Sequence, residues 1–311
     1  MSSSPSLVTS QELPSRNEFD EDGYLQLHPD VSEAVYAGIV GSAWQHYTLH
    51  GFGEGRQWVK KANRTDGLSQ EIAPGDLMYC DDAAHYYDVG ESALHCIQTA
   101  LFASRRSRSS VRSILDLPCG YGRVMRYLRK AFSEAQITGC DLDTDGIDFC
   151  ARTFGAVPVK SHPEPERVSI EGKFDLIWCG SLLTHLSEAK CVRFMRLFQG
   201  LLNPSGILVF TTHGRRCEEE LVTGRNRCGL SEPQIAEVLE GYRKTGFGFV
   251  EYSSQPGYGI SLVSPSRAIE SFVQRQEWQL LSFHENAWDK RQDVVVVQKA
   301  MRPMDPARPR S

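Results

Sequence analysis

The sequence predicts an α/β fold in which a seven-stranded, mostly parallel sheet carries helices on both faces, with a small helical module ahead of it. From Val111 onward, short apolar runs alternate with amphipathic helical segments, which is typical of parallel strands joined by crossover helices. The chain has 311 residues, of which 41% are hydrophobic and 23% are charged. It is therefore long enough to bury one large core and a smaller companion.

Seven apolar runs are predicted to form the strands of the sheet. They cover residues 113–117, 136–140, 157–160, 174–179, 206–212, 278–284 and 293–299. Helices are expected over 121–132, after Ser187 as far as Asn203-Pro204, and over 232–244. Residues 215–263 are predicted to be an insertion over the carboxyl ends of the strands, and it ends in a β-hairpin.

The remaining chain divides into segments with different expected structures. Residues 1–17 are rich in Ser and Pro and are predicted to be a disordered leader, without the charged-then-apolar order of a signal peptide. A small helical module is expected over 18–58, an irregular connector over 59–93, the large domain over 94–300 and a flexible tail over 301–311.

Composition excludes several classes of protein. A net charge of -5 argues against a protein that wraps nucleic acid, and the arginines at 105–112 suit a solvated linker or a local phosphate contact. No apolar run approaches the roughly 20 residues that cross a bilayer. The nine cysteines are scattered without a C-x-x-C pair, which predicts reduced thiols, no metal site and a cytoplasmic location.

The strongest functional signal is a strand that ends in an acid and is followed by a glycine turn. Asp116 ends the strand, and Gly120 and Gly122 follow in the turn. Glycines let the backbone approach a ligand, and the next helix offers free N–H donors. Asp141 ends the second strand, where a carboxylate can accept hydrogen bonds from both hydroxyls of a ribose. The pattern predicts a nucleotide-type pocket.

A nicotinamide dinucleotide is the less favoured ligand for this pocket. The dinucleotide fingerprint needs a third glycine where Met125 stands. The carboxylate of Asp116 would also repel a pyrophosphate laid on the same turn, whereas a cationic cofactor would tolerate it.

This segment resembles the first motif of the class I S-adenosylmethionine-dependent methyltransferases, D-x-G-x-G-x-G, with Pro118 in place of the first glycine. Residues 174–186 and 202–210 resemble the family's fourth and fifth strands with their loops. The resemblance covers about 94–300 and implies a Rossmann-like fold with the last strand antiparallel, and S-adenosylmethionine as cofactor. The cofactor-binding residues that it implies are Asp116, Pro118, Cys119, Gly120, Tyr121, Gly122, Arg123, Asp141, Leu142, Cys179, Gly180 and Ser181.

Candidates for the chemical step lie at the carboxyl ends of adjacent strands. Because the sulfonium supplies a good leaving group, the protein has to align the acceptor and, for a hydroxyl, remove its proton. His185 and His213 could each be that base or a packing residue. His284 is a weaker candidate for the acceptor site, and Tyr258 in the inserted hairpin suits an acceptor pocket or a simple surface turn.

The N-terminal module resembles one appended to bacterial glycosyltransferases and cell-envelope proteins. The matching residues are Tyr24, Leu25, His28, Pro29, Asp30, Val31, Gly38, His46, Tyr47, Gly51, Glu54, Gly55 and Arg56. This association makes a saccharide or glycan one candidate acceptor, beside other small molecules.

The sequence thus predicts a methyltransferase for a small molecule or saccharide, with O-methylation the favoured reaction. Nucleic-acid methylation is disfavoured, because residues 178–181 read Trp-Cys-Gly-Ser where an Asn/Asp-Pro-Pro-aromatic motif would be expected. The alternative is a regulatory or docking protein of the same fold that binds S-adenosylmethionine without turnover. A nicotinamide oxidoreductase is the third possibility.

Overall fold

A computed structural model describes residues 7–8, 12–16, 18–60, 67–80, 82–276 and 278–299. The predicted tail, 301–311, lies outside the described residues. Contacts divide the chain into two units, Met1–Gly67 and Leu68–Ser311. The segment predicted as a connector, 59–93, is therefore split between the two units.

The first unit is a helical module closed by a short antiparallel pair of strands. Its elements are β1 (Leu7–Val8), α1 (Glu21–Leu27), α2 (Pro29–Tyr36), α3 (Ala43–His46), a π-helical turn (Tyr47–Gly51) and β2 (Trp58–Val59). Strand β1 pairs with β2, so part of the predicted leader is ordered. Phe19, Tyr24 and Tyr47 form the centre of its buried aromatic core.

Residues of the module's motif contact one another. The hydroxyl of Tyr24 lies 3.2 Å from Nδ1 of His46. A Cβ on Gly51 would come within 2.3 Å of that hydroxyl, so glycine is required there. Arg56 forms an ion pair with Asp30 at 2.8 Å. These contacts give the motif a structural role, and its resemblance to the glycosyltransferase-associated module stays a prediction.

The second unit is built on a seven-stranded sheet and a separate hairpin. Its strands are β3 (Ser113–Asp116), β4 (Gln136–Asp141), β5 (Val157–Lys160), β6 (Phe174–Cys179), β7 (Leu202–Thr212), β8 (Phe247–Tyr252), β9 (Gln255–Val263), β10 (Trp278–Trp288) and β11 (Gln292–Lys299). The sheet order is β10-β11-β7-β6-β3-β4-β5, and β8 pairs with β9 alone. Strands β3 to β7 run parallel, whereas β11 is antiparallel to both neighbours, which confirms the predicted Rossmann-like sheet.

The helices of this unit are α4 (Ala83–Ala103), α5 (Met125–Ala131), α6 (Thr144–Phe154), α7 (Glu188–Leu201), α8 (Arg215–Thr223), α9 (Glu232–Thr245) and α10 (Pro265–Ala268). Helices α4 to α7 and α10 pack on the two faces of the sheet, whereas α8 and α9 pack with the β8–β9 hairpin in a separate cluster. Successive residues of a strand point to opposite faces, so Ile114 packs in the cluster of α4, α5 and α6 while Leu115 packs in that of α7. No helix in the described ranges has the length and apolarity to span a membrane.

Three element boundaries differ from the sequence prediction. Helix α5 begins at Met125 rather than at 121, because Gly122 has φ +79° and the turn continues through it. Helix α4 begins at Ala83, within the predicted connector, where the Asp82 side chain accepts a hydrogen bond from the His85 N–H. Strand β7 begins at Leu202, directly after α7, so Asn203-Pro204 lies inside a strand.

Candidate active site

A cavity of about 850 Å³ opens at the carboxyl ends of the parallel strands. Loops after β3, β4, β5 and β6 form one side, and the β8–β9 hairpin forms the other. Twelve of the residues predicted for the site line it: Asp116, Pro118, Cys119, Gly120, Tyr121, Arg123, Asp141, Leu142, Gly180, Ser181, His185 and Tyr258. The sequence therefore brings residues from 116 to 258 to one cavity.

The glycine turn after β3 packs closely on helix α6. Gly120 and Gly122 have φ +49° and +79°. A Cβ on Gly122 would lie 2.3 Å from the Phe154 ring, and one on Gly146 would lie 2.7 Å from the Gly120 carbonyl oxygen. Gly122 thus lies behind the cavity wall, where it permits the close approach of turn and helix.

Asp141 holds this turn while facing the cavity. Its Oδ2 accepts a hydrogen bond from the Gly120 N–H at 2.8 Å, and its Oδ1 accepts one from the Asp143 N–H at 3.1 Å. Both oxygens are fixed by backbone donors, so the carboxylate is presented to the cavity in one orientation.

Asp116 is a buried carboxyl group without a partner in the described structure. It is 1% exposed, and neither oxygen accepts a hydrogen bond from a described residue. Burial, and then the charge of nearby Asp141, raise the pKa of Asp116 well above its usual range. Burial without a partner thus favours the neutral carboxyl, and a cation or hydrogen-bond donor brought by a ligand would stabilise the ionised form.

Arg123 is the complementary feature on the same wall. Its guanidinium forms no hydrogen bond or ion pair with any residue in the described ranges, and it lies 6.0 Å from the Tyr86 ring centroid. Burial lowers the pKa of Arg123. Arg126, by contrast, donates to the Ser69 carbonyl at 2.7 Å and to the Tyr86 hydroxyl at 3.1 Å. Arg123 is the arginine available to an anionic ligand group.

His185 lies on the hairpin side of the cavity, in a 3₁₀ turn (Leu183–His185) after β6. Its Nδ1 is 2.7 Å from the carbonyl oxygen of Gly259 on β9. The Tyr258 ring stacks on its imidazole with 4.7 Å between centroids. Burial, and to a smaller extent the charge of Arg291, lower the pKa of His185 below its usual value.

Four predicted residues do not line the cavity: Gly122, which lies behind its wall, and His213, Cys179 and His284. His213 follows β7, is 2% exposed and lies behind His185, with 6.0 Å between ring centroids. Cys179 is buried at the end of β6. His284 is exposed on β10, four residues before the end of the strand, and its side chain does not line the cavity.

Sequence reasoning missed several residues that complete the wall. Trp288, at the end of β10, lines the cavity and meets Trp178 edge-to-face at 5.3 Å, while its Nε1 donates to the Val89 carbonyl. Asp76, from the predicted connector, lines it too and accepts a 2.6 Å hydrogen bond from the Tyr86 hydroxyl. The adjacent aromatic residues Tyr86 and Tyr87 in the predicted connector are the available sequence signal, but no pattern connects them with the strand ends.

Comparison with known proteins agrees with this geometry. Residues 115–208 match a family model described as a methyltransferase domain. The chain is 31% identical over 194 residues to the malonyl-[acyl-carrier protein] O-methyltransferase of Bacillus cereus, which covers 62% of this chain and 71% of that protein. This protein belongs to the S-adenosylmethionine-dependent methyltransferases. The protein of the same name from Bacillus anthracis is 28% identical over 194 residues, again 62% of this chain and 71% of that protein.

Solved structures also align with the chain, at lower sequence identity. DesVI of Streptomyces venezuelae aligns with a TM-score of 0.48 and 14% identity, over 74% of this methyltransferase and 100% of that chain.

S-adenosylmethionine is the cofactor of this methyltransferase, and the cavity residues fit its charges. The cofactor has a ribose, an ammonium and a carboxylate, and it supplies an electrophilic methyl group when bound. Asp141 would accept from the ribose hydroxyls, the partnerless carboxyl of Asp116 suits the ammonium, and the unpaired Arg123 suits the carboxylate. The described residues hold no group of three or more His, Cys, Asp or Glu arranged for a metal ion.

Proposed function

We propose that this methyltransferase methylates an oxygen atom of a small organic acceptor, with His185 as the general base. The observation that supports it most directly is the 2.7 Å contact between Nδ1 of His185 and the Gly259 carbonyl oxygen, on the cavity wall. The acceptor would lie between the β8–β9 hairpin and the glycine turn.

The Gly259 contact selects one tautomer of His185. A carbonyl oxygen can only accept, so Nδ1 carries the proton and Nε2 of the neutral ring keeps its lone pair. Because burial lowers the pKa of His185, the ring is neutral at pH 7. The acceptor hydroxyl would transfer its proton to Nε2 as its oxygen forms the bond to the methyl carbon, while the bond from that carbon to sulfur breaks and S-adenosylhomocysteine leaves.

The wall around His185 suits an acceptor with an apolar body. Seven side chains there are apolar or aromatic: Pro163, Leu182, Leu186, Phe194, Tyr252, Pro256 and Tyr258. We therefore infer a ring or chain that carries a hydroxyl group, in preference to the glycan that the N-terminal module suggests. A sugar ring needs many hydrogen-bond partners, and these seven side chains offer only two tyrosine hydroxyls. The polar residues that line the cavity beside them are Ser161, His162, Lys190 and Gln255.

A carboxyl acceptor is the second candidate, and the relatives favour it. The Bacillus proteins are named for malonyl-[acyl-carrier protein], and a malonyl group ends in a carboxyl. A carboxylate is already ionised at pH 7, so its methylation needs no base. The two candidates therefore differ in their dependence on His185.

The test is release of S-adenosylhomocysteine with three matched acceptor sets: phenols and alkanols, fatty acids and a malonyl thioester, and nucleotide sugars with glycan fragments. Each active acceptor is assayed with the wild type and with His185→Ala. For a hydroxyl acceptor we expect kcat to fall about 100-fold or more in His185→Ala, as loss of a general base does. The wild-type kcat should also fall as pH drops through a pKa below 6.5, since only the neutral ring accepts a proton.

The other outcomes separate the alternatives. Turnover of carboxyl acceptors that survives His185→Ala supports the second candidate. If only the nucleotide sugars and glycan fragments are methylated, the inference of an acceptor with an apolar body is wrong. Cofactor binding without turnover in any set supports the regulatory alternative. Asp141→Ala gives the background rate of S-adenosylhomocysteine release, because it removes the carboxylate proposed to bind the ribose.

A further inference from the structure

Three polar side chains close a hydrogen-bond ring beneath the cavity. The Ser181 N–H donates to Thr211 Oγ1 at 2.8 Å, and the Thr211 hydroxyl donates to Gln292 Oε1 at 2.6 Å. Gln292 Nε2 then donates to Ser181 Oγ at 3.2 Å. Thr211 is on β7 and Gln292 is on β11, so two strands of the sheet hold one loop residue.

Ser181 needs such support because its backbone is in the left-handed region. Its φ is +60°, a conformation that residues with a Cβ rarely adopt and that persists when surrounding contacts fix it. The preceding residue is equally confined, since a Cβ on Gly180 would lie 2.8 Å from Nε1 of Trp178 and 2.9 Å from Trp288.

The ring is connected to the proposed base through a short turn. Ser181 Oγ lies 3.4 Å from Oγ1 of Thr184, which is buried and adjacent to His185. The same turn is fixed from the other side by Ser261, whose hydroxyl donates to the Leu183 carbonyl at 2.8 Å. Residues 180–185, which we name the β6 loop, thus have contacts with the sheet at one end and with the hairpin at the other.

We propose that Thr211 and Gln292 are positioning residues of this methyltransferase. By holding Ser181 in the left-handed conformation they set the β6 loop, which carries Gly180, Ser181 and His185 on the cavity wall. Neither residue lines the cavity, so each acts on the cofactor and acceptor through Ser181.

The test uses binding of S-adenosylhomocysteine to the full chain by calorimetry, which needs no acceptor. Gln292→Leu removes two of the ring's hydrogen bonds at similar side-chain size. We expect it to weaken S-adenosylhomocysteine binding about 10-fold and to speed amide exchange of the peptide that contains Ser181. Once an acceptor is identified, Gln292→Leu should lower kcat by a larger factor than it raises the KM for the acceptor.

The same measurement is repeated in Ser181→Gly, because glycine adopts positive φ without the support of neighbouring side chains. In that background, adding Gln292→Leu should change the affinity less than 3-fold. Gln298→Leu is the matched control: Gln298 is on the same strand, and its side-chain amide donates to the Ser205 carbonyl at 2.9 Å, far from the cavity. It should leave the affinity unchanged.

An unchanged affinity in Gln292→Leu would overturn the proposal. An equal loss with and without Ser181→Gly, or a loss of the same size in Gln298→Leu, would do so as well, because it would indicate general destabilisation of β11. Melting temperatures of all four variants show whether each is folded at the assay temperature. Since the readout is cofactor binding, failure here leaves the proposal for His185 and the acceptor untouched.

Discussion

The two ends of the cavity are built in different ways: the proposed cofactor end lies at the glycine turn after β3, and the proposed acceptor end lies at the β8–β9 hairpin. At the cofactor end, the parallel strands β3 and β4 present Asp116, the glycine turn and Asp141 within 26 residues of chain, and the Gly120–Asp141 hydrogen bond joins them. At the acceptor end, His185 is oriented by Gly259, 74 residues later in an inserted hairpin. The cofactor end is thus a property of the sheet, whereas the acceptor end depends on an insertion that can change without altering the sheet.

The largest effect should come from the cofactor end. Asp141→Ala removes the proposed acceptor for the ribose hydroxyls and the hydrogen bond that holds the Gly120 N–H. We therefore expect the affinity for S-adenosylmethionine, measured by calorimetry, to fall about 100-fold or more. Asp145→Asn is the control, since Asp145 is an exposed acid in the first turn of α6. Equal affinities in the wild type and Asp141→Ala would show that the cofactor does not use this carboxylate.

A smaller, more selective effect is expected at the acceptor end. Tyr258→Ala removes the ring stacked on His185 and should raise the acceptor KM about 10-fold, while cofactor affinity changes less than 3-fold. Burial raises the pKa of Tyr258 to about 12, so the phenol is uncharged and its loss removes packing only. Tyr258→Phe keeps the stack and should behave as wild type. If the cofactor affinity falls as much as the KM rises, the two ends are not separable.

The smallest effect concerns His213, behind the acceptor end. Burial lowers its pKa well below 6.5, so below pH 6.5 the unfolded chain binds a proton that the folded chain does not. Stability is therefore full above pH 6.5 and falls as the solution becomes more acidic, by about 1 kcal/mol at pH 5.5.

The measurement for His213 is the melting temperature between pH 7.5 and 5.5, for the wild type and His213→Asn. The variant should lose about 2–4 °C less than the wild type over this range. Asp293, whose pKa burial raises to about 6, titrates with the opposite sign in both proteins, so the difference between them isolates His213. Parallel curves would mean that His213 is protonated equally in both states.

The residues of the cofactor end were easier to predict from the sequence than the depth and the supporting contacts of the acceptor end. Asp116, Gly120 and Asp141 were predictable because strand-end acids and glycine turns are local patterns, and a parallel sheet brings adjacent strand ends together. The strand pattern correctly predicts that His213 lies at the carboxyl ends of the parallel strands, but it does not predict how deeply the side chain is buried. In the structure His213 lies behind His185. The contact of Gln292 with Ser181 spans 111 residues, a separation at which no periodicity carries information.

The pair Trp178–Trp288 gives this methyltransferase an intrinsic optical probe. Both indoles border the cavity and are almost fully shielded from water, at 1% and 3% exposure. Their emission should therefore report on what enters the cavity. The background comes from Trp44 and Trp58, which belong to the other unit, and from Trp278, which does not line the cavity. Ligand entry could be followed in stopped flow on the unlabelled chain, with Trp178→Phe and Trp288→Phe assigning the signal.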